Sequence, residues 1–95
     1  MEIEKRPWGS YEVLLDEPTY KVKRIIVEPH QQLSLQFHNF REEHWTIVDG
    51  SGTLRVGECT FDVKVGDRIL IPKLSVHRAT ALNEKLIFIE VQLGK

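Results

Sequence analysis

The chain has 95 residues, of which 41% are hydrophobic, and a formal net charge of −1 at pH 7. This length predicts one domain, residues 1–95, and the lack of basic excess argues against nucleic acid as a partner. Cys59 is the only cysteine, which excludes an internal disulfide and a cysteine-based zinc site. No apolar run reaches the length of a membrane span, and the first residues, MEIE, do not resemble a signal peptide, so we expect a cytoplasmic protein without membrane association.

The predicted elements are all short strands. Apolar residues alternate with polar ones and do not recur at a helical period. Turn signals follow several runs, notably DGSG at residues 49–52, and a hairpin is expected across Gly57 and Glu58. The candidate strands are residues 20–27, 33–38, 45–48, 53–56, 60–63, 68–72 and 85–93. Seven or eight such strands predict an all-β sandwich, jelly roll or small barrel.

Alternation in the second candidate strand assigns its side chains to two faces. Gln36 and His38 share one face, while Leu33, Leu35 and Phe37 share the other. We expect the polar face to line the barrel lumen and a second sheet or subunit to cover the apolar face. Because a small barrel by itself is only marginally stable, we expect a homodimer.

Histidines and acidic residues are concentrated between residues 36 and 44. Gln36, His38, Glu43 and His44 lie close together, and His77 joins them from a distant strand. Two neutral imidazoles and a carboxylate suit Mn, Fe, Co, Ni or Zn and leave positions open for a substrate. Surface histidines, or histidines with ordinary hydrogen bonds, give the same pattern, so the residues alone leave both interpretations open.

Cationic residues near these motifs offer a site for a phosphate group. Arg41 and Arg78 flank the two histidine-containing segments, and arginine is well suited to bidentate contacts with phosphate oxygens. Lys23 is a third candidate, although alternation also allows it a solvent-facing position. A small sugar phosphate as partner would need such a cluster of positive charge, and solvated surface charge is the alternative interpretation.

Seven segments occur in an order that resembles one protein family. Taken together, they resemble the cupin domain of type II mannose-6-phosphate isomerases, which in many bacteria forms the C-terminal part of bifunctional mannose-1-phosphate guanylyltransferases. Ninety-five residues are too few for the nucleotidyltransferase portion, and no glycine-rich nucleotide loop is present. The resemblance implies a single cupin domain, a double-stranded β-helix or jelly-roll barrel. The segments are RPWGSYE, YKVKRIIVEP, LSLQFH, REEHW, GSGTLRV, IPKLSVHR and IEVQ.

The resemblance also implies a set of metal ligands. The first cupin motif falls on His38, Phe40, Glu43 and Gly50, and the second falls on Gly66, Pro72, Leu74, His77 and Asn83. The implied ligands to a divalent metal are therefore His38, Glu43 and His77, with Gln36 as a candidate fourth.

Three positions depart from the family pattern. Phe40 stands at a ligand position, Asn39 stands where another histidine is usual, and Leu74 replaces the glycine of the second motif. The leucine is expected to alter the turn before His77. With one ligand lost, the metal is either held by the remaining set or absent.

The activity implied is the metal-dependent interconversion of mannose 6-phosphate and fructose 6-phosphate. Glu43 and His44 are then the candidate acid–base residues, and Arg41, Arg78 and Lys23 the candidate substrate contacts. An alternative is a non-catalytic cupin with a degenerate metal site that binds a sugar or a sugar nucleotide. A third class is oxygen-dependent cleavage, since two histidines and one carboxylate suit Fe(II).

Overall fold

The computed structural model describes residues 2–94 and contains nine strands and no helix among them. Within that range no helix is long and apolar enough to cross a membrane. The prediction of an all-β fold is confirmed. The strands are β1 (Ile3–Arg6), β2 (Gly9–Asp16), β3 (Tyr20–Val27), β4 (Glu42–Asp49), β5 (Ser51–Val56), β6 (Cys59–Lys64), β7 (Arg68–Ile71), β8 (His77–Ala81) and β9 (Leu86–Leu93).

The strands form two antiparallel sheets. The larger has the order β1-β2-β3-β9-β4-β7, and the smaller has the order β6-β5-β8. The chain passes from the larger sheet to the smaller one between β4 and β5, at Gly50, whose φ is 76°. A side chain at this position would collide with the carbonyl oxygen of Lys85. Glycine is therefore required here both for its conformation and for the close approach of the backbone.

The core lies between the sheets and becomes polar toward one end. Trp45 stacks on Phe88 with ring centroids 4.1 Å apart, at the centre of the apolar packing. Side chains of β9 alternate between buried and half-buried positions, so the periodicity that buries Phe88 also buries Glu90 and Gln92. Glu43 of β4 is buried in the same way. Four buried polar side chains, from Glu43, His77, Glu90 and Gln92, thus share one interior with the apolar core.

Several predicted strands agree with the structure. The strand predicted at residues 20–27 is β3 with the same bounds, and β5 pairs with β6 through Val56 and Cys59 across the expected Gly57–Glu58 turn. β1, β2 and β8 were not predicted. The sequences of β1 and β8, IEKR and HRATA, lack the large alternating apolar residues from which strands are inferred.

The strand predicted at residues 33–38 is wrong. This segment makes only isolated bridges, between Gln32 and Thr80 and between Gln36 and His77. Leu33 is buried, but Leu35 and Phe37 are 43% and 53% exposed, so the expected continuous apolar face does not exist. Alternation alone does not make a strand, because a strand also needs a neighbour that pairs with successive peptide groups.

Candidate metal centre

Three side chains from separate parts of the chain converge at the polar end of the core. His38 lies in the loop before β4, Glu43 is the second residue of β4, and His77 is the first residue of β8. One potential ligand atom from each lies within 4.8 Å of the other two. Oε2 of Glu43 is 3.3 Å from Nε2 of His38, and Oε1 of Glu43 is 3.6 Å from Nε2 of His77. The structure thus brings together the three residues that the resemblance implies as ligands.

His77 presents a free nitrogen to this cluster. Its Nδ1 lies 3.2 Å from the carbonyl oxygen of Ser75. Because a carbonyl can only accept, Nδ1 carries the hydrogen, and Nε2 therefore presents a lone pair. Nε2 is buried and has no hydrogen-bond partner, which among residues 2–94 is true of no other buried side-chain nitrogen or oxygen. A lone pair fixed in this way by a carbonyl contact at the other nitrogen is typical of histidine metal ligands, so the residues fit a divalent cation.

Backbone contacts join the loops that carry the two histidines. Gln36 and His77 exchange two backbone hydrogen bonds, and the amide of Leu74 donates to the carbonyl oxygen of His38 at 2.8 Å. Leu74 has a φ of 66°, the left-handed conformation that glycine favours. The turn before His77 therefore keeps the left-handed conformation that glycine would adopt, although a leucine stands there. The expected change in the turn is absent, and the leucine adds some backbone strain.

Glu43 accepts hydrogen bonds from several directions. Nε of Arg41 donates to its Oε2 at 3.0 Å, and Nε1 of Trp45 donates to its Oε1 at 2.9 Å. Burial by itself raises the pKa of Glu43, but hydrogen bonds from Glu90 and Trp45 and the charge of Arg41 together outweigh it, so the pKa lies below its usual value. Glu43 is thus held as a carboxylate, the form that binds a metal.

Arg41 also contacts His38. Its Nη2 lies 2.9 Å from Nε2 of His38, so the guanidinium touches two members of the triad at once. Burial and then the positive charge of Arg41 lower the pKa of His38, which favours the neutral imidazole.

Glu90 forms a carboxyl–carboxylate pair with Glu43. Glu90 is only 3% exposed, and Gln92 donates to its Oε2 at 2.7 Å. Burial, followed by the charge of Glu43 and the hydrogen bond between them, raises the pKa of Glu90 to about 8. Glu90 is therefore protonated at neutral pH and donates to Glu43. Its presence among the inward-facing residues of β9 was the available sequence signal, but the contact with Glu43 depends on the pairing of β9 with β4.

A cavity of about 260 Å³ adjoins the cluster. Three cationic side chains line it, those of Arg6, Lys23 and Arg41, together with Gln36 and Glu90. Nζ of Lys23 lies 4.5 Å from the ring centroid of Tyr11, a geometry that allows a cation–π contact. Burial lowers the pKa of Lys23.

The aromatic residues of this cavity belong to the first hairpin. Trp8 lies in the turn between β1 and β2, and Tyr11 lies in β2; both line the cavity beside Arg6. Neither Arg6 nor Tyr11 was predicted as a site residue, because alternation within β1 and β2 does not reveal which end of the barrel they reach.

Two predicted site residues point elsewhere. His44 lies on the outer face of β4, where its Nε2 is 2.9 Å from Oε2 of Glu42, and its side chain is 48% exposed. Arg78 follows His77 and turns to the opposite face, where its Nε donates to the carbonyl oxygen of Leu33 at 2.8 Å. Because consecutive strand residues point in opposite directions, His44 is excluded from the cluster around Glu43, and the catalytic role predicted for it needs correction.

The fold and the triad define the class of protein as a cupin, with two antiparallel sheets around a core and a His–Glu–His set at one end. The chain belongs to the mannose-6-phosphate isomerase C-terminal family, whose sequence model matches residues 2–95. Both assignments agree with the resemblance inferred from the motifs.

Relatives with known names are much longer than this chain. The alginate biosynthesis protein AlgA of Pseudomonas aeruginosa is 41% identical over 90 residues, covering 94% of this chain and 19% of that protein. Mannose-1-phosphate guanylyltransferase 2 of Escherichia coli O157:H7 is 40% identical over 67 residues, covering 70% of this chain and 14% of that protein. The chain thus spans less than a fifth of the length of these relatives.

Solved structures agree in fold. A cupin-2 domain protein from Rhodospirillum rubrum superimposes with a TM-score of 0.84 at 25% identity, over 90% of this chain and 60% of that chain. KdgF from a Halomonas species superimposes with a TM-score of 0.91 over 100% of this chain and 89% of that chain, at 14% identity. The latter likeness concerns the fold alone.

Proposed function

We propose that this cupin domain catalyses the metal-dependent interconversion of mannose 6-phosphate and fructose 6-phosphate. The observation that carries the proposal is the buried, unpartnered Nε2 of His77, which lies beside the carboxylate of Glu43 and near His38. Membership in the mannose-6-phosphate isomerase C-terminal family supports the choice of reaction.

The metal would be a divalent ion, Mn, Fe, Co, Ni or Zn, held by His38, Glu43 and His77. Gln36 lines the adjoining cavity and is paired through its backbone with His77, so its amide oxygen is the candidate fourth ligand. When bound, the metal supplies electrophilic polarisation of the sugar carbonyl.

The cavity residues bind and orient the substrate. Arg41 and Lys23, together with Arg6, provide positive charge for a phosphate monoester. Trp8 and Tyr11 provide aromatic walls on which a sugar ring can pack. Arg78 lies outside this cavity, so phosphate binding is assigned to the first three cations.

Proton transfer requires a group that lines the cavity. In the reaction a proton leaves C2 of the aldose and a proton is added at C1, while the O2 hydroxyl becomes the carbonyl and the C1 carbonyl becomes a hydroxyl. Glu90 and Lys23 both line the cavity, whereas His44 does not. Glu43 is engaged by Arg41, Trp45 and Glu90, so we assign it to metal binding. We assign the proton transfer to the ionised form of Glu90, which accepts the C2 proton and returns it at C1.

Hydrogen exchange in deuterated water tests this function. The chain, supplied with each metal in turn, is incubated with mannose 6-phosphate, and NMR follows deuterium at C1 of the ketose and C2 of the aldose. We expect exchange that is lost on chelation and lost in His77→Ala, and that falls about 100-fold or more in Glu90→Gln, the usual contribution of general acid–base catalysis.

His44→Ala is the matched control, since it removes a histidine that neighbours Glu43 on the same strand but faces outward. We expect it to exchange at the wild-type rate. Exchange that persists with chelator, or that depends on His44, would contradict the proposal.

A non-catalytic binding cupin is the second candidate. It is favoured by the guanidinium of Arg41, which contacts both His38 and Glu43 and so satisfies part of the triad without a metal. Binding of mannose 6-phosphate or a sugar nucleotide without exchange and without metal would establish this function. Bound metal without exchange would instead indicate other metal chemistry, such as oxygen-dependent cleavage.

A further inference from the structure

Arg41 forms hydrogen bonds with the side-chain atoms through which His38 and Glu43 would bind a metal. Its Nη2 lies 2.9 Å from Nε2 of His38, and its Nε donates to Oε2 of Glu43 at 3.0 Å. A guanidinium has only donors, so Nε2 of His38 must accept this hydrogen bond with its lone pair. Two of the three triad members are therefore engaged by an internal cation, while Nε2 of His77 is left without a partner.

The contact with Arg41 and the coordination of a metal exclude each other at His38. A neutral imidazole nitrogen has one lone pair, which either accepts a hydrogen bond or binds a metal. Oε2 of Glu43 has more than one lone pair and does not impose this choice. If the metal binds through Nε2 of His38, the guanidinium has to leave that nitrogen.

Glu43 has other partners that hold it in place. Nε1 of Trp45 donates to its Oε1 at 2.9 Å, and Glu90 is hydrogen-bonded to the carboxylate. Glu43 is also only 1% exposed, whereas Arg41 is half-buried at the wall of the cavity. The movable member of the cluster is therefore the arginine.

The cavity offers Arg41 a second partner. Arg41 lines it together with Lys23 and Arg6, so an anion held there lies within reach of three cations. Bidentate contacts of arginine with phosphate oxygens are among the stronger charge-assisted hydrogen bonds.

We infer that Arg41 is an internal cation that competes with the metal at His38 and Glu43 and that a phosphate monoester bound in the cavity draws it away. Anion and metal then bind cooperatively, each raising the affinity for the other by the same factor. This inference rests on the metal site of the proposed function, and it adds a coupling between the binding of the anion and the binding of the metal. It also assigns Arg41 two alternating partners.

The movement of Arg41 can be tested without metal. Nitrogen-15 NMR of the imidazoles is recorded on the chelator-treated chain during titration with glycerol 3-phosphate, a phosphate monoester that cannot isomerise. We expect the chemical shift of Nε2 of His38 to move toward that of an imidazole nitrogen that accepts no hydrogen bond. The chemical shift of Nε2 of His77 should move less. In Arg41→Met the His38 resonance should begin near that end point and respond little.

Metal affinity provides the second test. Calorimetry measures Co²⁺ binding to the wild type, Arg41→Met and Lys23→Met, with and without glycerol 3-phosphate. Both variants remove one positive charge from the cavity, but only Arg41 contacts His38, so their difference separates the contact from the charge. We expect the anion to tighten Co²⁺ binding to the wild type about 5-fold or more, a typical coupling between sites. Arg41→Met should bind Co²⁺ more tightly than Lys23→Met and should lose the coupling.

Arg41→Lys retains the charge without the planar fork of the guanidinium, and it replaces the methionine variant if that variant fails to fold. The lysine variant should show weaker coupling than the wild type. Equal tightening in Arg41→Met and Lys23→Met, or a wild-type affinity for Co²⁺ that the anion leaves unchanged, overturns the inference while the proposed metal site stands. Failure of every variant to bind Co²⁺ overturns both, so the two failures are distinguishable.

Discussion

Leu74 holds a backbone conformation that is unfavourable for a leucine. Its φ is 66°, and its side chain is 64% exposed, so little packing compensates for the strain. Leu74→Gly should raise the free energy of unfolding by about 1 kcal/mol, the order of the strain of a left-handed non-glycine residue. Chemical denaturation measures the change.

Leu74→Ala is the matched variant, because it removes the same side chain and retains a Cβ atom. It should unfold at or slightly below the wild-type free energy. A glycine variant no more stable than the alanine variant would show that the turn is not strained.

Glu90 gives the metal-free protein a pH dependence of stability. Its pKa is raised to about 8 by burial and by Glu43, whereas an unfolded glutamate titrates near 4.3. The folded state therefore holds one more proton than the unfolded state between these values, so the contribution of Glu90 is complete below pH 4 and declines as the pH rises toward 8. The limiting slope is about 1.4 kcal/mol per pH unit.

Glu90→Gln should remove this decline, because its amide can donate to Glu43 as the protonated acid does. Denaturation in the presence of chelator between pH 5 and pH 8.5 should show the variant gaining on the wild type as the pH rises. The exposed Glu84→Gln should follow the wild-type profile. A difference between Glu90→Gln and wild type that stays constant with pH would refute the assignment of the proton.

Alternation along a single strand can be read from the sequence, and in β4 it accounts for the shared buried face of Glu43 and Trp45. The same rule, applied strictly, turns His44 outward, where the structure places it. The contact of Glu90 with Glu43 was not predictable, because it depends on the β4–β9 register, in which Trp45 pairs with Glu90 and Glu43 with Gln92. Register across strands far apart in the sequence is set by the packing of the whole core, not by local pattern.

The hairpin of β1 and β2 is exposed to solvent along β1 but lines the cavity at its turn and in β2. All four residues of β1 are exposed, but the turn and β2 bring Trp8 and Tyr11 to the cavity. The carbonyl oxygen of Trp8 accepts a hydrogen bond from the amide of Glu28 at 2.9 Å, which fixes the turn against the end of β3.

Trp8→Ala should therefore weaken the binding of mannose 6-phosphate about 3- to 10-fold, the equivalent of one aromatic contact. Calorimetry measures the affinity, and a thermal melt reports how much packing against the core is lost. Ile3→Ala alters an exposed residue of the same hairpin, 58% exposed, and should leave the affinity unchanged. Equal loss in both variants would indicate that the hairpin acts only through stability.

At the scale of the whole molecule, one group of exposed apolar side chains lies on two loops that contact each other. Leu35, Phe37, Phe40 and Leu74 are each more than 40% exposed, and backbone contacts join the loops that carry them. Contiguous exposed apolar residues mark interaction surfaces. We propose that this loop surface mediates the homodimer expected from the sequence.

Phe37→Ser should then shift the protein toward the monomer in sedimentation velocity experiments. Val65→Ser is the control, since Val65 is 59% exposed but lies in the turn between β6 and β7, away from the loop surface. A wild type that sediments as a monomer at every concentration would refute the homodimer.

The position of β9 has a consequence for the synthesis of the chain. β9 is the last strand in sequence, yet it lies between β3 and β4 in the middle of the larger sheet. β3 and β4 have no hydrogen-bonded contact with each other, so both keep an unpaired edge until residues 86–93 have left the ribosome. The larger sheet can therefore close only after β9 has been synthesised, and until then the unpaired edges of β3 and β4 are open to pairing with other extended segments.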